Sequence, residues 1–213
     1  MRFYGYFRSS AAYRCRIAFN LKGVTPEFVS VHLRQGEQRA ASFLKLNPHG
    51  LVPALECDQR LLTQSLAIIE WLEETHPSPA LLPADPFDRA YVRALALSIA
   101  CDIHPLQNLR VLTYLRDELK QPQAGIDQWC RRWIENGLAA YEATLEQAGT
   151  SGAFSFGDTP TFADVCLLPQ LFSAGRFGAD ISALPHLNRI KSSCDANPAF
   201  AAADPSRQPD TEV

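Results

Sequence analysis

Two serines and an arginine lie where an aromatic, strand-like stretch ends and a helical pattern begins: Arg8, Ser9 and Ser10. The first N–H groups of a helix have no partner within the helix, and the helix dipole adds about half a positive charge there. The two hydroxyl donors, with the full charges of Arg8 and Arg14 nearby, predict a site for a bound anion at this spot. A serine nucleophile would require a nearby base, and no histidine lies in this segment. The alternative is structural, with a serine capping the helix and Arg8 solvated.

A second serine opens another predicted helix further along the chain. Gln64 and Ser65 precede an amphipathic pattern, and Ser65 is predicted to be the N-cap of that helix. Both helix starts follow strands of the same predicted sheet, and open α/β sheets bind ligands at such ends. The pair suits a small ligand with two separated negative groups. A cis peptide bond between Val52 and Pro53 would turn a backbone N–H and C=O toward the same ligand.

The elements that must position these residues follow from hydrophobic periodicity. RFYGYF is typical of a short strand, and the apolar positions Tyr13, Ile17 and Leu21 predict a helix that ends at Gly23. A second strand follows Pro26, and a helix of this length fits a crossover between parallel strands. The chain is therefore predicted to open with a β-α-β unit.

The pattern continues with a weaker helix near residues 40–46, which Asn47-Pro48 ends. Val52–Cys57 and Arg60–Thr63 are then predicted to pair as an antiparallel hairpin, because a short polar turn separates them. The amphipathic helix after Ser65 follows. The first half thus has the predicted order β-α-β-α-β-β-α.

A proline-rich segment between His76 and Phe87 indicates an extended linker. We place a domain boundary there, which gives an N-terminal α/β domain over 1–82 and an all-helical C-terminal domain over 83–213. The last residues, DPSRQPDTEV, are polar and interrupted by proline. They are predicted to be either a poorly ordered tail or a surface strap.

Three long helical patterns make up the second half. The first covers 87–118, either continuous or bent at Pro105, and the second covers 126–148 with Trp129 and Trp133 expected in the core. The third is predicted over about 160–176. Thr161-Phe162-Ala163-Asp164 has the form of a capping box at the start of this third helix, so Asp164 is predicted to be structural.

Composition limits the classes of function. The net charge is −3 and the pI is near 5.9, which argues against binding of nucleic acid or anionic membranes. No apolar run approaches the roughly 20 residues that span a bilayer, and the polar N-terminus is unlike a signal peptide, so we expect a cytoplasmic protein. The six cysteines form no C-x-x-C pair and are predicted to be buried thiols. The five histidines show no metal-ligand spacing, so we assign no metal.

An ordered set of motifs spans nearly the whole chain: FRSS, YRCRIAFNLKGV, NPHGLVPAL, QSLAIIEWLEE, CDIHPLQNLRVLTYL and FGDTPTFADVCLLPQ. Together with the predicted order of elements, they resemble the cytosolic glutathione transferases. The closest resemblance is to the zeta class, which includes maleylacetoacetate isomerase and bacterial maleylpyruvate isomerase. A thioredoxin-like domain that binds glutathione and a helical domain that completes the substrate site are implied.

The resemblance also implies roles for individual residues. Ser9 and Ser10 would hold the glutathione thiolate, and Val52 would bond the glutathione backbone, with Pro53 as the family's cis-proline. Gln64 and Ser65 would take the γ-glutamyl end. The remaining implied glutathione-binding positions are His49, Asp102, which would reach across a homodimer interface, His104 and Asn108. The implied positions for substrate carboxylates are Arg8, Arg110 and Arg176, and Arg8 is also placed among the catalytic residues.

The function implied is glutathione-dependent cis–trans isomerisation of a dicarboxylic diketo acid, either maleylacetoacetate or maleylpyruvate. Reversible addition of the thiolate to the double bond would allow the bond to rotate. The sequence does not choose between these substrates, because they share their maleyl end. A conjugating or dehalogenating transferase of the same class remains an alternative, as does a non-enzymatic partner-binding protein with this fold. Ala11 stands where the class usually has cysteine, which disfavours a thiol-disulfide oxidoreductase.

Overall fold

A four-stranded sheet organises the N-terminal part of the protein in the computed structural model, which describes residues 1–212. The strands lie in the spatial order β2-β1-β3-β4. The pair β1/β2 is parallel, and the pairs β1/β3 and β3/β4 are antiparallel. The predicted β-α-β unit and the predicted hairpin are therefore confirmed. The strands are β1 (Arg2–Gly5), β2 (Glu27–Ser30), β3 (Ala54–Cys57) and β4 (Arg60–Thr63).

Three helices complete this half in the predicted order: α1 (Ser10–Lys22), α2 (Ala41–Leu46) and α3 (Ser65–Thr75). Gly23 ends α1 with a φ of +66°, a left-handed conformation that glycine adopts without steric cost. Every residue of α1 from Ala12 to Phe19 is buried, so this helix has no solvent-facing side over that stretch. Any polar side chain there must find its partners inside the protein.

By their contacts, residues Met1–Leu81 group with the segment from Ala196 onward, and Leu82–Asp195 form a second unit. The second unit is almost entirely helical. Its helices are α4 (Pro86–Leu97), α5 (Leu109–Asp117), α6 (Gln123–Ala148), α7 (Phe162–Phe177) and α8 (Pro185–Ala196), and a short α9 (Pro198–Ala202) follows in the C-terminal segment.

The predicted continuous helix over 87–118 is wrong, and the break is larger than a bend. A π-helical turn, Ser98–Ile103, and a 3-10 turn, His104–Gln107, separate α4 from α5. Pro105 cannot donate a backbone hydrogen bond, which favours the break. Asn108 then adopts an extended conformation, with a ψ of 143°, and its side chain caps α5. The chain therefore stops one helix and begins another.

The helix predicted over 126–148 is confirmed as α6, but its tryptophans are not core residues. Leu138 and Leu145 are fully buried, whereas Trp129 and Trp133 are only partly buried. The two indole rings pack edge to face with centroids 5.6 Å apart. Leucine and isoleucine on the same helix fill the core because, unlike tryptophan, they have no ring N–H that needs a hydrogen-bond acceptor.

The predicted capping box at the start of α7 is confirmed. One carboxylate oxygen of Asp164 accepts from the N–H and the hydroxyl of Thr161, at 2.8 and 2.7 Å. The other oxygen accepts from the Ser155 N–H at 2.8 Å. Asp164 is fully buried, and burial raises its pKa against the opposing effect of these hydrogen bonds. The carboxylate therefore joins the preceding loop to the helix.

The C-terminal residues form a strap that packs against the β1–α1 region. Asp210 accepts from the Phe7 N–H at 2.9 Å and from the Ser30 hydroxyl at 3.2 Å. Glu212 accepts from the Tyr6 hydroxyl at 3.2 Å and also contacts ring and guanidinium donors of two neighbouring residues, His32 and Arg34. Burial, followed by the charge of Glu212, raises the pKa of Tyr6 to about 12.

The cysteines are only partly as predicted. Cys15, Cys130, Cys166 and Cys194 are buried, while Cys57 is half-buried and Cys101 is exposed. All six are free thiols. Burial raises the pKa of Cys130 to about 11, so its thiol is protonated at neutral pH.

Replacing Asp164 with alanine is expected to lower the free energy of unfolding by about 3 kcal/mol, because two buried backbone N–H groups lose their acceptor. Urea denaturation measures the change. Asp195→Ala is the matched control: its carboxylate pairs with Lys191 on the exposed side of α8, and its loss should cost at most about 0.5 kcal/mol. Equal effects of the two substitutions would contradict the structural role of Asp164.

Glu212→Gln is expected to lower the melting temperature at neutral pH but not in acid. Desolvation opposes ionisation of Glu212, but hydrogen bonds from Tyr6 and His32 and the charge of Arg34 outweigh it and hold its pKa below the ordinary 4.5. Such a carboxyl stabilises the fold above its ordinary pKa and loses that contribution as the pH falls through the depressed value. Melting curves at pH values on both sides of this range, with the exposed Glu74→Gln as control, measure the effect. A difference that grows on acidification would refute the expectation.

Candidate active site

Three segments that carry predicted site residues meet at one end of the sheet. Tyr4 of β1 lies opposite Ala54 of β3, and Ala54 lies opposite Thr63 of β4. At this end β1 stops, β3 starts and β4 stops, so the chain just beyond these three residues lies together. The segments brought together are Phe7–Ser10, Val52–Pro53 and Gln64–Ser65.

A buried arginine holds the turn between β1 and α1. Arg16 donates to the carbonyl oxygens of Phe7 and Tyr6, at 3.0 and 3.4 Å, and to that of Ala203 at 3.1 Å. Burial lowers the pKa of Arg16 to about 10, which still leaves it protonated at neutral pH. The loop in front of the two serines is therefore fixed through its backbone carbonyls.

The two serines occupy different positions at the start of α1. Ser9 is the N-cap, with an extended backbone, and its Oγ accepts from the Ala12 N–H at 3.2 Å. The hydroxyl that accepts this bond still carries its own hydrogen as a donor. Ser10 is the first helical residue, and both serines are partly exposed. Arg8 is also partly exposed, with its guanidinium 6.0 Å from the centroid of the Phe7 ring.

The predicted cis peptide bond is present between Val52 and Pro53. Both residues are buried, and Asn47, which the sequence assigned only to the end of a helix, bonds the loop that precedes them. Asn47 is 1% exposed, donates to the Leu51 carbonyl at 2.7 Å and accepts from the His49 N–H at 3.2 Å. The His49 side chain is exposed on the same loop.

The third segment differs from its prediction. Gln64 is the N-cap residue of α3 and has a φ of +71°, and its side chain makes no capping bond. The predicted N-cap role of Ser65 is wrong, because the Gln64 carbonyl already accepts from the Ile68 N–H and places Ser65 inside the helix. Ser65 is buried, and its Oγ accepts from Nη1 of Arg14 at 3.3 Å.

The remaining predicted residues lie in the second unit. Asp102 is exposed in the π-helical turn, and His104, partly exposed, begins the 3-10 turn. Asn108 Oδ1 accepts from the Arg110 N–H at 3.2 Å, so Asn108 has a structural role at the start of α5. Arg110 is exposed in the first turn of α5, and Arg176 is exposed in the last turn of α7.

Neighbouring helices hold the irregular turns that carry Asp102 and His104. The Nε1–H of Trp129 donates to a carbonyl oxygen in the 3-10 turn at 2.7 Å, and Nε2 of Gln107 donates to Oε1 of Gln170 at 3.0 Å. Gly137 of α6 allows close approach, since a Cβ there would lie 2.3 Å from an Ile103 carbon. The partly buried Trp129 thus stabilises the 3-10 turn that begins at His104.

The sequence marked Arg14 only as a charge near the start of α1 and gave no role to Arg16, yet both side chains contact segments of the candidate site. Their signal is two arginines within an otherwise apolar helix, which predicts internal partners once that helix is known to be buried.

Within residues 1–212, no group of three or more His, Cys, Asp and Glu side chains is placed to hold a metal ion. In the same part of the chain, no helix has the length and apolar character needed to cross a membrane.

Comparison with known proteins gives matches over almost the full length. Residues 3–80 match the N-terminal domain of glutathione S-transferase, and residues 123–202 match its C-terminal domain. Maleylpyruvate isomerase of a Ralstonia species is 48% identical, over 99% of this chain and 100% of that protein.

Two solved structures are also similar. A holo structure of maleylpyruvate isomerase, described as a bacterial zeta-class glutathione S-transferase, has a TM-score of 0.98 at 48% identity and covers 100% of both chains. Maleylacetoacetate isomerase from Methylobacterium extorquens, with bound malonate and glutathione, has a TM-score of 0.96 at 41% identity, again over 100% of both chains. The chain therefore belongs to the glutathione S-transferase family, within its zeta class of maleylpyruvate and maleylacetoacetate isomerases.

Proposed function

We propose that the protein is a glutathione-dependent cis–trans isomerase of a maleyl keto acid, either maleylpyruvate or maleylacetoacetate. The observation that carries the proposal is the meeting of two helix N-termini and a cis-proline segment at one end of the sheet. The names of the full-length relatives support the reaction. The relative with bound malonate and glutathione supports a site for a dicarboxylate beside this cofactor.

The chemistry of the donor set fits glutathione, a tripeptide with two carboxylates, an ammonium group and a thiol. The start of α3, with Gln64 and Ser65, is suited to the γ-glutamyl carboxylate, because helix N-termini bind anions. The backbone of Val52 is suited to the peptide portion, with His49 on the adjoining loop. In the second unit, Asp102 is suited to the ammonium, and His104 and Asn108 complete the proposed set. When bound, glutathione supplies a thiol for reversible addition to the substrate's double bond.

The start of α1 favours an ionised thiol. A free thiol has a pKa near 8.5 and is only slightly ionised at neutral pH, whereas a helix N-terminus with hydroxyl donors stabilises the thiolate. Ser9 can cap the helix and donate its hydroxyl hydrogen at the same time. Ser10 presents a second hydroxyl in the first turn. Lowering the thiol pKa by about two units corresponds to about 2.7 kcal/mol.

Three arginines are proposed to bind the substrate. A maleyl keto acid carries carboxylates, and negative charge develops on its carbonyl oxygens during the reaction. Guanidinium groups form strong charge-assisted hydrogen bonds to both. Arg8 adjoins the serine pair in the first unit, whereas Arg110 and Arg176 lie near helix ends of the second unit and have exposed side chains.

We further propose a cytoplasmic homodimer, in which Asp102 reaches the glutathione of the partner protomer. Its position in an exposed, irregular turn supports a role at an interface. Light scattering tests the assembly, and Asp102→Asn tests the role of the carboxylate. A monomer in solution with full activity would contradict this part of the proposal.

Isomerase activity is expected with far less glutathione than substrate. Purified protein is mixed separately with maleylpyruvate and maleylacetoacetate, and the absorbance of each is followed to completion. Complete conversion to the fumaryl isomer, with all glutathione recovered as free thiol, is expected because the thiol is regenerated. Consumption of glutathione in proportion to substrate would favour a conjugating transferase. Absence of glutathione binding would favour the non-enzymatic alternative.

Arg110→Met and Arg176→Met are each expected to raise the KM for the maleyl substrate by about tenfold or more, since each removes a charge-assisted hydrogen bond. Glutathione affinity, measured by calorimetry, should change little. Arg132→Met, an exposed arginine of α6, is the matched control and should leave both values unchanged. Unchanged KM in both variants would refute the assignment of these arginines.

A further inference from the structure

Arg14 is a buried cation with unused hydrogen-bonding capacity. Its side chain lies between α1 and α3, and the residue is 2% exposed. Nη1 donates to Ser65 Oγ at 3.3 Å, but Nε and Nη2 have no hydrogen-bond partner among residues 1–212. Arg16, two residues along the same helix, instead uses Nε, Nη1 and Nη2 on carbonyl oxygens. A buried guanidinium that is not fully paired is costly, so packing alone does not explain Arg14.

The bond from Arg14 determines how the Ser65 hydroxyl can act. A guanidinium can only donate, so Ser65 Oγ is the acceptor in this contact. The hydroxyl hydrogen of Ser65 therefore points elsewhere and remains a donor. Ser65 is also the first residue of α3, where Gln64 provides no side-chain cap for the first N–H groups. A hydroxyl donor, helix N–H groups and a buried positive charge thus favour an anion at the same place.

We propose that Arg14 is a positioning residue for the carboxylate of the γ-glutamyl group of glutathione. It acts through Ser65, by orienting the hydroxyl as a donor, and it adds positive charge behind the start of α3. The bound carboxylate in turn compensates the buried guanidinium. This inference rests on the proposed function, because that function places the γ-glutamyl end at Ser65.

The test compares two ligands that differ only in this carboxylate. Glutathione and 4-aminobutyryl-cysteinyl-glycine share the ammonium, the thiol and the glycine carboxylate, but the second lacks the γ-glutamyl carboxylate. Calorimetry gives the Kd of each ligand for the wild-type protein and for Arg14→Met. The substitution should weaken glutathione binding by about tenfold, equivalent to about 1.4 kcal/mol, and change the affinity for the analogue by less than about twofold.

Ser65→Ala provides the second arm, because it removes the hydroxyl and leaves the guanidinium in place. If Arg14 acts through Ser65, the double variant should lose little more glutathione affinity than Ser65→Ala alone. Arg60→Met, an exposed arginine at the β3–β4 turn, is the matched control for loss of one positive charge and should bind both ligands as the wild type does. Circular dichroism and melting curves verify folding of each variant.

NMR spectroscopy of the wild-type protein tests the proposal even if Arg14→Met does not fold. The Nε–H resonance of Arg14, assigned by its loss in Arg14→Lys, should shift on addition of glutathione and stay in place on addition of the analogue. An equal loss of affinity for both ligands, or no response of Arg14 to the carboxylate, would overturn the inference while leaving the proposed function intact. Failure of the wild-type protein to bind glutathione would overturn both.

Discussion

The burial of α1 on all sides is the constraint on which the first unit depends. Three cations on this helix, Arg14, Arg16 and Lys22, are buried, so each needs partners inside the protein. Arg16 bonds the carbonyls that precede the serine pair, and Arg14 bonds Ser65 at the start of α3. Lys22 donates to Glu73 at 2.5 Å, and Glu73 in turn accepts from the Leu81 N–H at 3.0 Å. One helix thereby holds two segments of the candidate site and, through Glu73, the backbone at Leu81.

The site differs in charge from the protein as a whole. The chain has a net charge of −3, yet the sheet end collects two helix N-termini together with Arg8 and Arg14. Local field, and not net charge, determines which ligand a cleft attracts. Such an arrangement suits a ligand that carries a carboxylate at one position and a thiolate at another. A low net charge therefore argues against nucleic acid without arguing against a small anionic ligand.

The second unit interrupts a helix at two of the proposed site residues. A π-helical turn and a 3-10 turn replace regular hydrogen bonding just where Asp102 and His104 lie. Irregular backbone of this kind costs free energy and persists only where surrounding contacts support it. Trp129 and the Gln107–Gln170 pair provide those contacts. Trp129 of α6 and Gln170 of α7 therefore stabilise this turn. Hydrophobic periodicity alone would assign both positions to core packing.

Local signals in the sequence determined most of the elements: the order of strands and helices along the first half, the Gly23 end of α1, the Thr161–Asp164 capping box and the serine pair at a helix start. These depend on residues within a few positions of one another. Tertiary structure decided that Ser65 accepts from Arg14 instead of capping α3, and that the helix predicted over 87–118 is divided and not merely bent at Pro105. The capping error arose because Gln64 takes the cap position with a positive φ, and the helix is divided because contacts from α6 and α7 stabilise the break. Long-range partners of buried polar groups are set by packing, which local periodicity does not encode.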